Sequence, residues 1–377
     1  MPLGTQLIAY NAVTHEDLKD TVSIMMAEDN DIIGQMFFDM SHAVENTTYK
    51  WTEKNLKGYR SNLTSAISNS ATSIPISNGA NKFIVDNLTY LNIDGEMMLV
   101  TAGQGTSTLT VTRGQLGTTA VSHASGAEIF LSELETEGAD ATRDDSELGS
   151  VLYNYTEIFR RELDMSGTSQ AVRGPGQDHK WAAQVQQQTR VLLQKIRSQF
   201  VNSAIRYEDG TKKKRYMGGL PYFLSSVKQD MAGAVLTETH IESAIIKVLE
   251  GGADANNLVM LVGTRQGGAI NRFKVERVRG GGMTQGEKKI DNNVNEFEFL
   301  NANVKVVRVP EMPNNRFFLG PQRNAKVFPL MGRGLKVETL GKTGDGEKKL
   351  LVGEYGCEVL NGDTAWAFVD NLAIPSY

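Results

Sequence analysis

The residues most suggestive of chemistry are the triplet Gly341-Lys342-Thr343, which matches the end of a phosphate-binding loop. The full signature needs a glycine five positions before Gly341, where Lys336 stands, and a helix directly after the threonine. The next residues, Gly344-Asp345-Gly346, are typical of a turn instead. The triplet therefore predicts no nucleotide site.

Metal and hydrolase signatures are also incomplete. His15-Glu16 begins a zinc-hydrolase motif, but Lys19 stands where that motif needs its second histidine. The five histidines are scattered, and no pair has the spacing of metal ligands. The Gly-x-Ser-x-Gly pattern of a nucleophilic serine does not occur. We therefore expect no catalytic residue, no metal and no bound cofactor, in a protein that is not an enzyme.

The single cysteine, Cys357, lies in the alternating segment Tyr355–Val359 and has no Cys-x-x-Cys partner. A chain with one cysteine cannot form an internal disulfide, which is typical of a reducing compartment. We expect Cys357 to be a small, buried, apolar side chain in a strand.

The net charge of −5 over 377 residues favours neither nucleic acid nor an anionic membrane as a specific partner. Residues 133–147 hold seven carboxylates and one cation, Arg143. Because ligand-like spacing around a turn glycine is missing, we expect a solvated loop there rather than a metal cage. No stretch approaches the roughly 18 apolar residues of a membrane span, and residues 1–10 lack a signal-peptide pattern.

Positive charge is concentrated in two places. The first is Lys212–Arg215, for which we expect a solvated loop. The second is a series beside the glycines at 280–282, namely Arg272, Lys274, Arg277 and Arg279. Neither place has aromatic residues interleaved for stacking on bases. Arginines in the second series could pair with carboxylates of a neighbouring subunit.

A compact all-β module is predicted between Leu63 and Leu131. Apolar residues alternate there with a period of two, which is typical of half-buried strands. The pairs are Ile74 and Ile76, Leu91 and Ile93, Met98 and Val100, and Leu109 and Val111. Turn residues such as Asp94-Gly95 separate the runs. We expect a barrel or sandwich of roughly 70 residues with a modest core, which suits a structural building block better than an enzyme.

The segments on either side of the module predict an arm, a hairpin and a long helix. Residues 1–46 are typical of an arm with one short helix at 15–26. Thr47–Tyr59 and Val151–Val172 are both β-prone, and predict the two sides of a long hairpin with the module at its tip.

The long helix is expected from the cap Asp178 to about Arg206. Its apolar residues recur at three- and four-residue spacing, namely Trp181, Val185, Leu192, Ile196 and Phe200. Such a helix is well above the usual length and would be a spine on which other elements pack.

The second half of the chain predicts an α/β arrangement. Thr237 or Thr239 is the expected cap of a helix that ends at Gly251-Gly252, and Leu258–Val262 predicts a buried strand. A helix over Thr264–Phe273 and strands over 295–300 and 303–309 follow. The tail predicts antiparallel strands at 350–352, 355–360 and 364–369, the last two around the turn Asn361-Gly362-Asp363.

This order of elements, together with three segments, resembles the major capsid proteins of tailed bacteriophages with the Hong Kong 97-type fold. Asn154–Phe159, followed by Asp164–Thr168, is similar to the descending side of the E-loop in one branch of that family. Tyr216–Leu224 is similar to the entry to the A-domain. Leu109–Gly114, followed by Gly117–Ala120, is similar to the β-domain inserted in the E-loop of that branch. The resemblance covers nearly the whole chain.

The resemblance implies an α+β fold divided into the capsid domains. These are an N-terminal arm (1–46), an E-loop (47–62 and 132–172), an inserted β-barrel or sandwich (63–131), a P-domain (173–215 and 325–377) with its spine helix at about 178–206, and an A-domain (216–324). It also implies that the E-loop lies across an adjacent subunit and that the A-domains meet at the centre of each capsomer.

The implied function is that of a major capsid protein, which self-assembles into hexamers and pentamers of an icosahedral head around double-stranded DNA. The expected location is the virion, after assembly in the host cytoplasm. Expected partners are other copies of the chain, scaffold, decoration and portal proteins, and DNA held without sequence-specific contacts, with no membrane. Aromatic and arginine side chains are favoured anchors at protein contacts. The candidate inter-subunit residues are therefore Trp51, Tyr155, Phe159, Arg277 and Arg279.

Three alternatives stay open at this point, and one of them is an enzyme, which a positive result in a screen for hydrolase activity would favour. An encapsulin-like compartment shell would share the fold and would hold enzyme cargo instead of DNA. A virion protein whose β-domain binds host glycan is the third alternative, although the turns of that module lack a clustered aromatic platform.

Overall fold

The computed structural model describes residues 36–54, 60–77, 84–134, 137, 149–171, 180–279, 296–299 and 302–376. The chain forms two compact units, and unit 1 (Met1–Trp51 with Val151–Tyr377) is built from both flanks of unit 2 (Thr52–Ser150). Each unit has its own hydrophobic core. The predicted helix at 15–26, the cap Asp178, the glycines at 280–282 and most of the acidic run lie outside the described residues.

Unit 2 is a closed β-barrel. Strand β1 (Thr48–Glu53) leads into it, and its six strands are β2 (Arg60–Asn62), β3 (Ser73–Pro75), β4 (Thr89–Ile93), β5 (Glu96–Ala102), β6 (Thr108–Thr112) and β7 (Glu128–Glu133). They pair antiparallel in the order β2-β7-β4-β5-β6-β3. The two edges meet because Leu63 bridges Ile76, and the amide of Ser77 donates to the carbonyl of Asn62 at 2.9 Å. Such closure protects strand edges from pairing with other chains.

The alternating apolar residues form the core of this barrel. All eight of them, from Ile74 to Val111, are buried, as the period-two pattern predicted. Asp94 and Gly95 both have positive φ, at 49° and 87°, which fits a two-residue hairpin turn between β4 and β5. Gly103 has a φ of 110°, and a Cβ there would lie 2.7 Å from the carbonyl oxygen of Thr108. Glycine is therefore required at that turn.

The predicted long hairpin is wrong beyond Tyr155. Strand β8 (Ser150–Tyr155) pairs with β1 in a two-stranded sheet. The next strand, β9 (Glu157–Ser166), pairs along ten residues with β19 (Gly346–Val359) near the end of the chain. Phe159, Leu163 and Met165 of β9 are buried in the unit 1 core, and the face that a strand buries determines its pairing and register.

Strand β19 is the centre of the first sheet of unit 1. Besides β9, it pairs antiparallel with β17 (Ala325–Pro329) and β18 (Lys336–Thr343). The separate strands predicted at 350–352 and 355–360 are therefore parts of one strand of 14 residues. The triplet at 341–343 lies in β18, not in a loop before a helix. The segment 36–47 runs beside β17, with parallel bridges from Phe38 to Val327 and from Val44 to Leu330.

The spine helix packs on this sheet. A short helix, α1 (Gly167–Ala171), follows β9, and the spine is α2 (Lys180–Asn202), whose 23 residues span about 35 Å. Leu192, Ile196 and Phe200 are fully buried, whereas Trp181 and Val185 near its start are partly buried. The helix ends before the predicted Arg206.

The second sheet of unit 1 is mixed and is buried at its centre. Its order is β12-β20-β16-β13-β15-β14. The strands are β12 (Lys228–Asp230), β13 (Leu258–Val262), β14 (Glu296–Phe299), β15 (Ala302–Arg308), β16 (Phe317–Pro321) and β20 (Ala367–Asp370). Every residue of β13 is buried, and this strand pairs parallel with β15 and antiparallel with β16. The strand predicted at Leu258–Val262 is confirmed.

Four further helices lie in unit 1 among the described residues: α3 (Leu220–Phe223), α4 (Glu238–Glu250), α5 (Thr264–Arg279) and α6 (Gly362–Ala365). Helix α4 starts at the predicted cap Thr237, which forms a capping box with His240. At its end, a Cβ on Gly251 would overlap the carbonyl oxygen of Thr364. Helix α5 continues past the predicted end at Phe273, so the backbone at 277 and 279 is helical rather than part of a loop.

The predicted hairpin around Asn361-Gly362-Asp363 is wrong. Asn361 has a φ of 52°, and the chain continues into α6, so β19 and β20 belong to different sheets. Trp366 explains this path, because it is fully buried against Gly320 of β16, where a Cβ would overlap the indole ring. Burial of this large ring draws β20 into the second sheet.

Candidate assembly surfaces

Two of the predicted contact residues lie in an aromatic row of unit 1. The ring of Trp51 stacks on Tyr49 at 6.0 Å and lies 5.4 Å from Phe223. Tyr155 meets Tyr153 edge-on at 5.8 Å. Trp51 and Tyr155 are half-buried in their own chain, so each keeps part of its ring at the surface.

Arg206 connects the aromatic rings of this row. Its guanidinium carbon lies 3.4 Å from the ring centroid of Tyr153 and 4.9 Å from that of Tyr222. Its Nη1 also donates to the carbonyl oxygen of Tyr153 at 2.5 Å. A guanidinium held between two aromatic faces fixes both rings.

Phe159 has a different environment from the other predicted aromatic anchors. It is fully buried, 6.4 Å from Tyr355 and beneath the ammonium group of Lys195 at 5.7 Å. Strand alternation places it on the inner face of β9. In this structure Phe159 therefore belongs to the core and has no surface for a neighbour, which corrects its selection as a contact residue.

Arg277 and Arg279 lie in the last turn of α5. Their side chains are outside the described part of the chain. Their role as contacts to a neighbour stays a prediction.

The basic segment Lys212–Arg215 belongs to a hairpin of β10 (Tyr207–Glu208) and β11 (Arg215–Tyr216). Lys212, Lys213 and Lys214 are all exposed, as the solvated-loop interpretation predicted. Arg215 departs from it, because its side chain is mostly buried in an ion pair with Glu354. Tyr207 and Tyr216 face each other across the strands and are 57% and 40% exposed. The sequence interpretation missed this pair, because the two tyrosines meet only once the hairpin forms.

Asn154 lies at the centre of a buried polar network that had no sequence signal. Its Nδ2 donates to the carbonyl oxygens of Gly218 (3.0 Å) and Cys357 (2.8 Å). Its Oδ1 accepts from the amides of Gly218 (3.0 Å) and Tyr155 (2.9 Å). All four hydrogen bonds of this fully buried amide are therefore made. The network ties β8, β19 and the segment after β11 together.

Cys357 is an inert part of the same network. It is fully buried, and its thiol donates to the carbonyl oxygen of Gly218 at 2.8 Å. Burial raises the pKa of this thiol far above its ordinary value. Since the thiolate is the nucleophile, Cys357 is a structural residue, as its sequence context predicted.

A second buried network connects the hairpin of β10 and β11 to the rest of unit 1. Glu354 of β19 is 2% exposed. Its Oε1 lies 2.7 Å from Nη2 of Arg215 and accepts from Thr156 at 2.6 Å, and its Oε2 lies 3.0 Å from Nε of Arg333. Arg215 also donates to the carbonyl oxygen of Thr156 at 3.0 Å. The hairpin is thereby fixed at its base.

A third network lies inside the barrel of unit 2. Glu96 forms two ion-pair contacts with Arg113 and one hydrogen bond with Nε2 of His123 at 3.0 Å. Nδ1 of His123 lies 2.8 Å from Asp94. Arg113 also donates to the carbonyl oxygen of Val121 at 2.5 Å. These contacts hold the loop 113–123 against the turn between β4 and β5.

In these three networks the buried side chains are hydrogen-bonded or ion-paired to groups of the same unit. Among the described residues, no group of three or more potential ligands could hold a metal ion. An open groove of about 430 Å³ beside α2 is lined by polar and charged residues, among them Arg161, Lys195 and Glu311, and by Val191 and Pro310. No helix in the described ranges has the length and apolar character needed to cross a membrane.

Comparison with known proteins gives a match to a protein family. The chain matches the family described as SU10 major capsid protein over residues 4–373. No curated protein sequence matches it.

Among solved structures, the chain is similar to the cyanophage A-1(L) capsid, with a TM-score of 0.58 and 8% identity over 97% of this chain and 99% of that chain. It also matches the capsid of an empty GTA particle, with a TM-score of 0.47 and 10% identity over 96% of each chain. The holo-SrpI encapsulin complex from Synechococcus elongatus PCC 7942 matches with a TM-score of 0.42 and 14% identity, over 61% of this chain and 80% of that chain.

The cyanophage likeness concerns the fold alone, and that fold is the Hong Kong 97-type capsid fold. The family match extends over nearly the whole chain, both units included. On this match, the chain belongs to the SU10 major capsid protein family.

Proposed function

We propose that this chain assembles into the hexamers and pentamers of an icosahedral head that encloses the double-stranded DNA of a tailed phage. The family match over residues 4–373 is the observation that carries this proposal. Other copies of the chain are then its main partners. Scaffold, decoration and portal proteins are further partners, and assembly takes place in the host cytoplasm.

The proposal assigns a role to each part of the chain. Residues 1–46 are the N-terminal arm, 63–131 the inserted β-domain, 216–324 the A-domain, and 173–215 with 325–377 the P-domain. The E-loop is formed by 47–62 and by the segment from 132 to Tyr155. We end it there because β9 shares its sheet with β17, β18 and β19 of the P-domain.

Two features are consistent with assembly from many copies. The buried polar networks are hydrogen-bonded within the chain, whereas the aromatic row that contains Trp51 and Tyr155 is only partly buried. A shell subunit makes several contacts at once, so each contact needs only a few kcal/mol, and misplaced copies can leave. Trp51 and Tyr155 are only partly buried in their own chain and can make such contacts. The role is structural, and no chemical step is required of the chain.

The charge of the chain suits a container for DNA. With a net charge of −5, the protein as a whole repels phosphate. Fixed cationic contacts would bind the DNA backbone with a strong dependence on salt. We infer that packaged DNA is enclosed without sequence-specific contacts.

Electron microscopy of the chain expressed without other phage proteins tests this function. The expected result is closed particles with five-fold and six-fold positions, or rings of six. Particles filled with an enzyme cargo instead of DNA in the native source would favour the encapsulin-like alternative. Specific glycan binding without assembly would favour the receptor-binding alternative.

A further inference from the structure

The hairpin from Tyr207 to Tyr216 presents an unusual surface in unit 1. Tyr207 and Tyr216 are directly opposite in the register of β10 and β11, so both rings project from one face. The other face carries Glu208 and Arg215, and Arg215 points to the buried carboxylate of Glu354. The tyrosine face is therefore the outer one. We call Tyr207, Tyr216 and the three lysines between them the lysine–tyrosine surface.

The turn that carries the lysines is held in one conformation. Oδ1 of Asp209 accepts from the amides of Thr211 (2.9 Å) and Lys212 (3.3 Å). The carbonyl of Asp209 accepts from the amide of Lys213 at 2.9 Å, and Lys213 has a φ of 52°. A preorganised surface loses little conformational entropy when a partner binds.

The three lysines have no salt-bridge partner in the part of the chain that the structure describes. Residues 210–214 are all exposed, and no carboxylate of the described residues lies within ion-pair distance of their ammonium groups. Two exposed tyrosine rings beside three unpaired cations form a surface for an anionic partner. Aromatic side chains provide most of the energy at such contacts, and the charges steer the approach.

The chain itself contains a segment of matching charge. Residues 133–147 hold seven carboxylates and one arginine, which is a larger net negative charge than that of the whole chain. Sixteen residues separate the end of β7 at Glu133 from the start of β8 at Ser150. At about 3.4 Å per residue, any chain of this length whose ends are held together can extend at most about 25 Å away from them.

We propose that the lysine–tyrosine surface of one copy binds the acidic segment 133–147 of a second copy. This contact rests on the proposed shell function, in which each copy presents both surfaces and repeated contacts between unlike surfaces close into rings. Three lysines neutralise only a few phosphates of a nucleic acid, whereas they can pair with about half of the seven carboxylates in residues 133–147. The contact selects the neighbour by charge and is completed by the two tyrosines.

Charge reversal tests the proposal. One variant carries K212E, K213E and K214E, and the other carries D140K, D144K and D145K. The lysine variant confronts like charges at the contact, and the second variant reduces the net charge of residues 133–147 from −6 to zero and places four cations at 140–145. Each change removes the attraction, so the particle yield of each variant alone is expected to fall at least tenfold. The control variant K305E with R308E changes exposed charges on β15 and is expected to assemble like the wild type. Circular dichroism of each variant tests whether it is folded.

Mixing the two reversed variants separates contacts between copies from contacts within one chain. In a one-to-one mixture the two variants can alternate around a ring of six, so that each reversed hairpin meets a reversed segment, and the yield of six-membered rings is expected to return to within about threefold of the wild type. A ring of five cannot alternate in this way, so closed particles are expected to recover less. A contact within one chain would stay repulsive in the mixture, and an unchanged low yield would overturn the proposal.

Three other results would also overturn it: normal assembly of each variant alone, loss of assembly in the control, and normal shells of the lysine variant that lack only nucleic acid. The last result would identify a phosphate-binding surface. If the wild type itself fails to assemble, the proposed function fails, and this outcome is distinct from failure of the contact alone.

Discussion

Arg113 and Glu96 form a two-point ion pair inside the barrel of unit 2, with Nε to Oε1 and Nη2 to Oε2 both at 2.7 Å. Glu96 is only 2% exposed. Its Oε2 also accepts from the amide of Val121 at 2.9 Å and contacts His123 at 3.0 Å, and its Oε1 accepts from the amide of Gly114 at 3.3 Å. The barrel thus has a polar clamp beside its apolar core, and this clamp positions the loop 113–123.

The substitution Glu96→Gln should destabilise the barrel by about 3 kcal/mol, because it leaves the guanidinium of Arg113 buried without its counter-charge. Hydrogen exchange of the amides of β4 and β5 in the full-length protein measures this loss. The control Glu128→Gln changes an exposed carboxylate on β7 and should shift stability by less than about 0.5 kcal/mol. Equal exchange rates in the two variants would contradict a stabilising clamp.

The same carboxylate predicts how stability depends on pH. Burial alone would raise the pKa of Glu96, but hydrogen bonds from Arg113, Val121 and His123 outweigh it and lower the pKa from 4.5 to about 2. The stabilising contribution is therefore complete above pH 4.5 and is lost as pH falls from there to about 2, by about 3 kcal/mol.

The wild type should be more stable than Glu96→Gln at pH 7, and the difference should shrink through that window. Denaturant unfolding of both proteins at pH 7, 4 and 2 measures it. A difference that does not change with pH would contradict the lowered pKa.

Asn154→Ala should destabilise unit 1 by about 3 kcal/mol, because the buried amide of Gly218 loses its partner and the carbonyl of Gly218 keeps only the weak thiol donor of Cys357. Cys357 retains one hydrogen bond to its carbonyl, from the hydroxyl of Tyr49 at 2.6 Å. Chemical denaturation of the unassembled chain provides the value. The matched substitution Asn303→Ala, at an exposed position of β15, should be nearly neutral, and a similar effect at both sites would show that the network stabilises little.

Gly320→Ala should cost about 3 kcal/mol, because the new methyl group would overlap the buried indole of Trp366 and one of the two strands must shift. Gly341→Ala is a suitable control, since a Cβ there meets no atom within 4 Å. Thermal unfolding and the near-ultraviolet signal of the tryptophans report the change. An unperturbed melting temperature in Gly320→Ala would contradict the close approach of Trp366 to β16.

Local patterns predicted the parts of the fold that depend on neighbours in sequence. The barrel core followed from the alternation at 74–111, and α4 from the cap Thr237 and the glycines after Glu250. The pairing of β9 with β19 was not predictable in this way, because nothing near residue 157 specifies a partner near residue 350. The same limit applies to Asn154, whose partners Gly218 and Cys357 are distant in sequence.

The candidate contact residues illustrate the same limit. Type and context selected Trp51, Tyr155 and Phe159 equally, but strand alternation and the packing of α2 bury only Phe159 completely. Tyr207 and Tyr216 were missed because their pairing depends on the register of a short hairpin. Exposure is a property of the folded chain, so composition alone could not separate these rings.

The most direct test of the central claim is the mass of the purified chain in solution, measured by light scattering over a concentration series. If copies of the chain stabilise one another in a shell, the mass should rise with concentration from that of the 41.3 kDa chain to six times that value or to closed particles. A chain that stays monomeric at the highest concentration, while fully folded, would contradict the account.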